Sequence, residues 1–185
     1  MDIYKYCPEV RSERFLLRLV TQEDCEALLK VYSDEKAVPL FNGDNCNGDD
    51  FHYTTLERMR QAMSFWIWSY ENGWFVRMSI VDLVSDCAVG TVELCYRDQE
   101  DTGVLRLDLR SDYENEAVTS EILSLILEPS YEWIGCSRMI TKARPVGEER
   151  IRALAAFGFT PAAEPLIGHD GTAYADYYER MKMRE

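Results

Sequence analysis

Ser12-Glu13-Arg14-Phe15-Leu16-Leu17-Arg18-Leu19-Val20-Thr21-Gln22-Glu23-Asp24 changes its period halfway along. Phe15 to Val20, rich in Phe, Leu and Val, reads as a strand. Thr21 then opens a helix, and Asp24 sits three residues on, an approximate capping box with Asp in place of Glu. Cys25, Leu28, Leu29 and Tyr32 follow at i, i+3, i+4 and i+7, which makes one buried stripe. A strand running straight into an amphipathic helix is the frame on which the rest is read.

Downstream, residues 42–50 are polar and read as a solvated loop. Its acids raise a calcium site, but Cys46 stands where the EF-hand spacing needs an oxygen ligand, and no glutamate closes the loop. A second helix starts at Thr54 with Glu57 completing a capping box, and Asn72-Gly73 ends it. Its stripe of Leu56, Met59, Met63, Trp66, Ile67 and Tyr70 reads as core rather than as a ligand groove. Trp74 to Leu83 and Ala88 to Tyr96 form a hairpin.

Val104 to Arg110 alternates Leu105, Leu107, Leu109 with Arg106, Asp108, Arg110, so one face is expected buried and the other polar. Glu116 to about Glu128 reads as a helix that Pro129 kinks or ends. A strand at Met139 to Ala143 and a helix from Glu148 to Phe157, closed by Gly158, follow. A last hairpin turns around His169-Asp170-Gly171 and returns through Tyr174 to Met181. The order β-α-α-β-β-β-α-β-α-β-β predicts an α+β fold with a mostly antiparallel sheet flanked by helices. With no linker or repeat, residues 1–185 are expected to form one domain.

The composition narrows the function. Lys plus Arg is 20 against 33 Asp plus Glu, a net charge of −13, which repels phosphate backbones and anionic headgroups. Nucleic acid and membranes are therefore not expected partners. No stretch reaches the roughly 20 apolar residues of a membrane span, and the N-terminus lacks a signal-peptide pattern. The 6 cysteines are scattered without a Cys-x-x-Cys pair, so neither a zinc site nor a disulfide framework is expected, and the cytoplasm is the expected compartment. Metal, hydrolase, kinase and dehydrogenase motifs are missing.

The Glu13-Arg14-Phe15-Leu16-Leu17-Arg18 strand followed by Thr21-x-x-Asp24 resembles the opening of the RimJ/RimL-type GNAT acetyltransferases. Gly90 at the central hairpin, Ile151 through Gly158-Phe159 closing the last helix, and Asp176 in the last strand fit the same family. The resemblance spans nearly the whole chain and implies the GNAT fold. It also implies transfer of acetyl from acetyl-CoA to a primary amine, of a small molecule or a protein N-terminus. Family habit further implies a homodimer.

In that family the loop entering the third helix offers N–H groups to the CoA diphosphate. A splayed gap between the strands read here at 104–110 and 139–143 takes the pantetheine arm. The cofactor contacts so implied are Leu109, Arg110, Asn115, Ala117, Val118, Thr119 and Arg150. The loop departs from the family's Arg/Gln-x-x-Gly-x-Gly/Ala: Glu114 replaces the cation, Ala117 the central glycine, and Glu116 adds a negative charge. The serine and tyrosine that family members use to protonate the leaving thiolate are here Arg150 and Leu154. Arg150 reads either as a relocated phosphate contact or as a surface ion pair.

Asp108 and Glu93 are the candidate acceptors of the amine's proton, with solvated carboxylates on an open sheet face as the alternative. Tyr177 and Tyr178 are either acceptor-site residues or half-buried packing. The net charge predicts an acidic acceptor cleft and a cationic substrate. The second functional reading is a GNAT-fold binding or assembly module that has lost acetyl-CoA turnover.

Overall fold

In a computed structural model, which describes residues 2–97 and 101–183, the chain forms an eight-stranded sheet with helices on both faces. The elements run β1 (Val10–Arg11), β2 (Phe15–Leu19), α1 (Cys25–Tyr32), α2 (Leu56–Glu71), β3 (Val76–Asp82), β4 (Cys87–Arg97), β5 (Thr102–Leu109) and α3 (Glu116–Ile134). They continue with β6 (Arg138–Lys142), α4 (Glu148–Ala156), β7 (Thr160–Pro161), β8 (Leu166–Ile167), β9 (Ala173–Tyr174) and β10 (Tyr177–Met181). The sheet order is β1-β2-β3-β4-β5-β6-β10-β7, while β8 and β9 pair by themselves. Every pairing is antiparallel except β5 with β6. Among the described residues no helix is long and apolar enough to cross a membrane.

The opening strand and helix form as read. Asp24 accepts the Thr21 N–H at 3.0 Å and is also gripped by both terminal nitrogens of Arg18, at 2.9 and 2.8 Å, and by Ser79 at 2.7 Å. Burial raises the pKa of this carboxyl, but those donors outweigh it and hold the group below the usual range.

Three expectations hold only in part. The cap of α2 is Thr55, whose hydroxyl accepts the Arg58 N–H, so Glu57 is not its box partner. Helix α3 runs through Pro129 to Ile134, because Ser130, Tyr131 and Ile134 extend its buried stripe beyond the missing N–H. The last hairpin does turn around His169-Asp170-Gly171, with β9 antiparallel to β8, but its return is interrupted: Asp176 turns the chain at a φ of 66° before β10 joins the large sheet.

Two cores sandwich the sheet. Leu105, Leu107 and Leu109 pack with Met78, Ile80, Val92 and Leu94 against Ile122 and Ile126 of α3. On the other face Tyr32, Phe51, Tyr53, Met63 and Trp66 form a second cluster. The alternation of β5 predicted an open polar face there, yet all of β5 is buried. Helices α1 and α2 and the connection between them cover a polar inlay of two cross-strand triplets, Arg77–Glu93–Arg106 and Ser79–Thr91–Asp108. Charges buried this way must satisfy one another, since an unpaired one costs several kcal/mol (, ~3–5). Gly90 sits beside this inlay, where a Cβ would stand 2.3 Å from the carbonyl oxygen of Asp108.

Candidate active site

The pairing of β5 with β6 lasts three residues, Thr102–Val104 against Arg138–Ile140. Beyond Val104 and Ile140 the strands separate, and the β6-side edge of Leu105–Leu109 has no partner strand. On the α1/α2 face the 42–46 segment bridges this gap. The Asp44 carboxylate takes Lys142 Nζ at 2.6 Å and the Tyr177 hydroxyl at 3.2 Å, while its carbonyl accepts from Arg106 at 2.7 Å. Asn42 Nδ2 donates to the Tyr177 hydroxyl. The loop read as solvated therefore buries Asn42 and Asp44. Tyr177 is buried in this cluster and Tyr178 packs against the α3-side core. Burial pushes the Tyr177 phenol well above its ordinary value, so it stays protonated.

Beside the gap lies a cavity of about 630 Å³, walled by α2, β3–β5, the loop at 45–51, Leu166 of β8 and His169 of the turn after it. Val104, the last β5 residue to pair with β6, is part of its wall. Of the two acids expected in the cleft, Glu93 lines this cavity and Asp108 does not. Neither is solvated. Glu93 is bound by Arg77, and its other oxygen lies 3.2 Å from Arg106 Nη1. Burial raises the Glu93 pKa, but the two guanidinium groups more than reverse this and hold the carboxyl below its usual range.

Asp108 lies deeper. It accepts from the Tyr32 hydroxyl at 3.0 Å, which also meets Thr91 at 2.8 Å and Arg77 at 2.9 Å. Desolvation dominates there and raises the Asp108 pKa despite the nearby Arg77.

The expected acidic cleft is not what forms: the cavity wall carries four arginines, Arg58, Arg77, Arg97 and Arg106, against Asp49 and Glu93. The chain's net charge resides elsewhere on its surface, and the cross-strand pairing turns Arg77 and Arg106 inward. The α2 stripe is not core alone, since its Trp66 also walls the cavity, with Ala62 and Phe65 beside it. Cys46 and Cys95 line it too, and burial with Glu93 nearby pushes the Cys95 thiol up to about 12, which leaves it protonated. All 6 cysteines are free, and among the described residues no cluster of His, Cys, Asp or Glu is set to hold a metal.

At the N-terminus of α3, Asn115 caps the helix and takes the Val118 N–H, while Ala117 is exposed. Leu109, Val118 and Thr119 are buried, and Arg110 is held by Asp112 at 2.6 and 2.9 Å. Glu114 and Glu116 turn toward α4. Glu114 forms a two-pronged pair with Arg150 at 2.8 and 2.6 Å, buried rather than at the surface, and Glu116 meets Arg152 at 2.8 Å. Glu149 accepts the Glu116 N–H at 2.9 Å. Helix-end amides and two arginines are the donors a diphosphate requires. Here three carboxylates already engage them, so the donor set fits the group in its chemistry but is closed on itself.

Arg77 was the missed residue of most consequence. A lone arginine inside the apolar run Phe75 to Val81 was the available signal, because a buried guanidinium needs carboxylate partners on neighbouring strands.

A family model described as an acetyltransferase (GNAT) domain matches residues 14–160. No curated protein matches the chain in sequence. Among solved structures, ribosomal-protein-S5-alanine acetyltransferase from Vibrio fischeri superposes with a TM-score of 0.72 at 17% identity, over 95% of this chain and 97% of that one. An acetyltransferase (GNAT family) from Bacillus anthracis gives 0.70 at 16%, over 95% and 99%. The RimL ribosomal L7/L12 alpha-N-protein acetyltransferase in complex with coenzyme A gives 0.69 at 17%, over 94% and 98%. At these identities the likeness is one of fold.

Proposed function

The chain belongs to the GNAT acetyltransferase family, and on that premise we propose that it acetylates a primary amine held in the 630 Å³ cavity. Acetyl-CoA, the family's donor, would lie in the gap between β5 and β6. Acetyl transfer to an amine is the family's activity, and the family match favours it over the inactive-module alternative. One observation carries the reading: the strand gap and the cavity open on the same residue, Val104.

The donor supplies an activated acyl thioester, and the chain's own groups do the rest. The unpaired edge of Leu105–Leu109 offers backbone hydrogen bonds along the gap. The amides at the start of α3, with Arg152, form the anion-binding end once Glu149 and Glu116 turn aside, while Arg150 stays paired with Glu114. Glu93 stays ionised between its two arginines and accepts a hydrogen bond from the amine, which orients it. With its pKa held low, Glu93 is a weak base, so the departing proton passes to water. Asp108 positions Arg77 and Tyr32 from behind. The resemblance to ribosomal-protein acetyltransferases makes a polypeptide amine one candidate acceptor, a small-molecule amine the other.

The test is a calorimetric titration of acetyl-CoA at about 0.15 M salt, where long-range repulsion is largely screened, followed by amine-dependent release of CoA thiol. Saturable micromolar binding with amine-dependent thiol release is expected. Absence of binding up to millimolar acetyl-CoA overturns the reading.

A further inference from the structure

A chain with a net charge of −13 gathers four arginines around one cavity. Among the described residues, two carboxylates, Asp49 and Glu93, share that wall with them. Asp49 pairs with Arg58 at 2.6 Å, Glu93 stands between Arg77 and Arg106, and the second carboxylate beside Arg77, Asp108 at 3.4 Å, lies behind the wall rather than on it. Arg77 and Arg106 are 1% and 9% exposed, and among the described residues the Nε atom of each has no hydrogen-bond partner.

The aromatic rings do not offset this as a cage for a cation. The Arg77 guanidinium itself lies 4.2 Å from the Trp66 ring centroid, 5.2 Å from Phe51 and 6.0 Å from Phe75. Those faces are taken by the protein's own cation. An ammonium group entering here meets guanidinium groups, whereas a carboxylate meets charge-assisted donors. At the mouth, Phe65 and Trp74 stay 47% and 56% exposed and offer an apolar flank.

We propose that the acceptor is an amine that also carries a carboxylate, with the carboxylate directed to Arg106 and Arg77 and an apolar or aromatic group against Phe65 and Trp74. The inference rests on the acetyl-transfer reading only for the amine. The same arginines disfavour the ammonium form of the bound substrate, which delivers the neutral nucleophile without a strong protein base.

Matched pairs test it: tryptophan against tryptamine, and the peptide Ala-Asp-Trp against Ala-Lys-Trp, with spermidine as a cationic control. Each is measured twice, by calorimetry without acetyl-CoA and by thiol release with it. The carboxylate-bearing member of each pair is expected to bind about tenfold more tightly, as one charge-assisted contact allows, and to have the higher kcat/KM. The arm with the greater preference identifies a free amino acid or a peptide as the source of the carboxylate.

Arg106→Gln is expected to erase the preference. Because Arg106 also braces Glu93 and the Asp44 carbonyl, Arg97→Gln at the cavity mouth is measured beside it and should lower the preference several-fold. Equal or better binding of tryptamine or spermidine overturns the inference while leaving acetyl transfer intact. Selective carboxylate binding without thiol release upholds the cavity's specificity and sinks the transfer reading instead. No binding of any compound up to millimolar concentration overturns the inference.

Discussion

Glu149 of α4 accepts the backbone N–H of Glu116, the first residue of α3, at 2.9 Å. A helix N-terminus attracts anions because its first amides lack intrahelical partners and the macrodipole is positive there. The protein meets that demand with its own side chain, at the end of the gap where an anionic ligand would be held.

Removing that carboxylate should therefore improve binding of CoA. A unit charge about 5 Å from a phosphate costs on the order of 3 kcal/mol at an effective dielectric of 20, and under 1 in water. Glu149 is half exposed, so an intermediate effect is expected. Glu149→Gln should tighten CoA binding about tenfold in a titration at moderate salt. An unchanged affinity would place the ligand's phosphates elsewhere.

The two arginines of α4 should behave differently when lost. Arg150 and Glu114 are 4% and 7% exposed, so Arg150→Met strands a buried carboxylate and should cost about 3–5 kcal/mol. Arg152 is 51% exposed, and Arg152→Ala should cost less than about 1 kcal/mol. Urea unfolding of both variants compares them directly, and equal losses would contradict the burial argument.

Asp108 carries a pH signature opposite to that of Glu93 and Asp24. Its folded pKa is raised by burial, so the stability it contributes is present below the unfolded value, about 3.9, and is lost as pH rises toward the folded value. For Glu93 and Asp24 the folded values are lowered, so their contributions hold above the unfolded carboxylate range and are lost as pH falls. Asp108→Asn should remove the loss on going from about pH 4 to 7 and leave the acid limb in place. Urea midpoints at four pH values read this out, and a variant profile parallel to the parent's would refute it.

Gly90 has no room for a side chain. A Cβ there stands 2.3 Å from Asp108 O and 2.8 Å from Leu109 Cδ2, one of which is backbone that cannot swing away. Gly90→Ala should destabilise by at least about 1–3 kcal/mol and separate β4 from β5 next to the cavity wall. Thermal melts of the variant would show it, and an unchanged midpoint would mean the strands part more easily than their packing implies.

The element order was legible because it is local: the period of Phe15–Val20 and of Cys25–Tyr32 is written in adjacent residues. What covers a face is not local. Arg106 and Asp108 announced a polar side of β5, but its burial depends on α1, α2 and the segment between them, more than 30 residues upstream in every case. The charges of Glu114 and Glu116 were equally visible, whereas their direction depends on Arg150 and Arg152 of a helix that follows α3 and β6. Pro129 does not end the helix because propensity speaks for one turn, while Tyr131 and Ile134 bring tertiary packing to the next.

The short β5–β6 register has a mechanical consequence. Five strands, β1 to β5, and three, β6, β10 and β7, are two plates stitched along three residues. Such a seam is where a sheet yields first, and sub-global opening follows the weakest line of backbone hydrogen bonds. Amides of Arg138–Lys142 and Tyr177–Met181 should then exchange with solvent together, at a lower free energy than those of β3 and β4. The protein would breathe along the same line at which acetyl-CoA is proposed to bind, so tighter occupancy of the gap should slow exchange in the smaller plate before it touches the larger one.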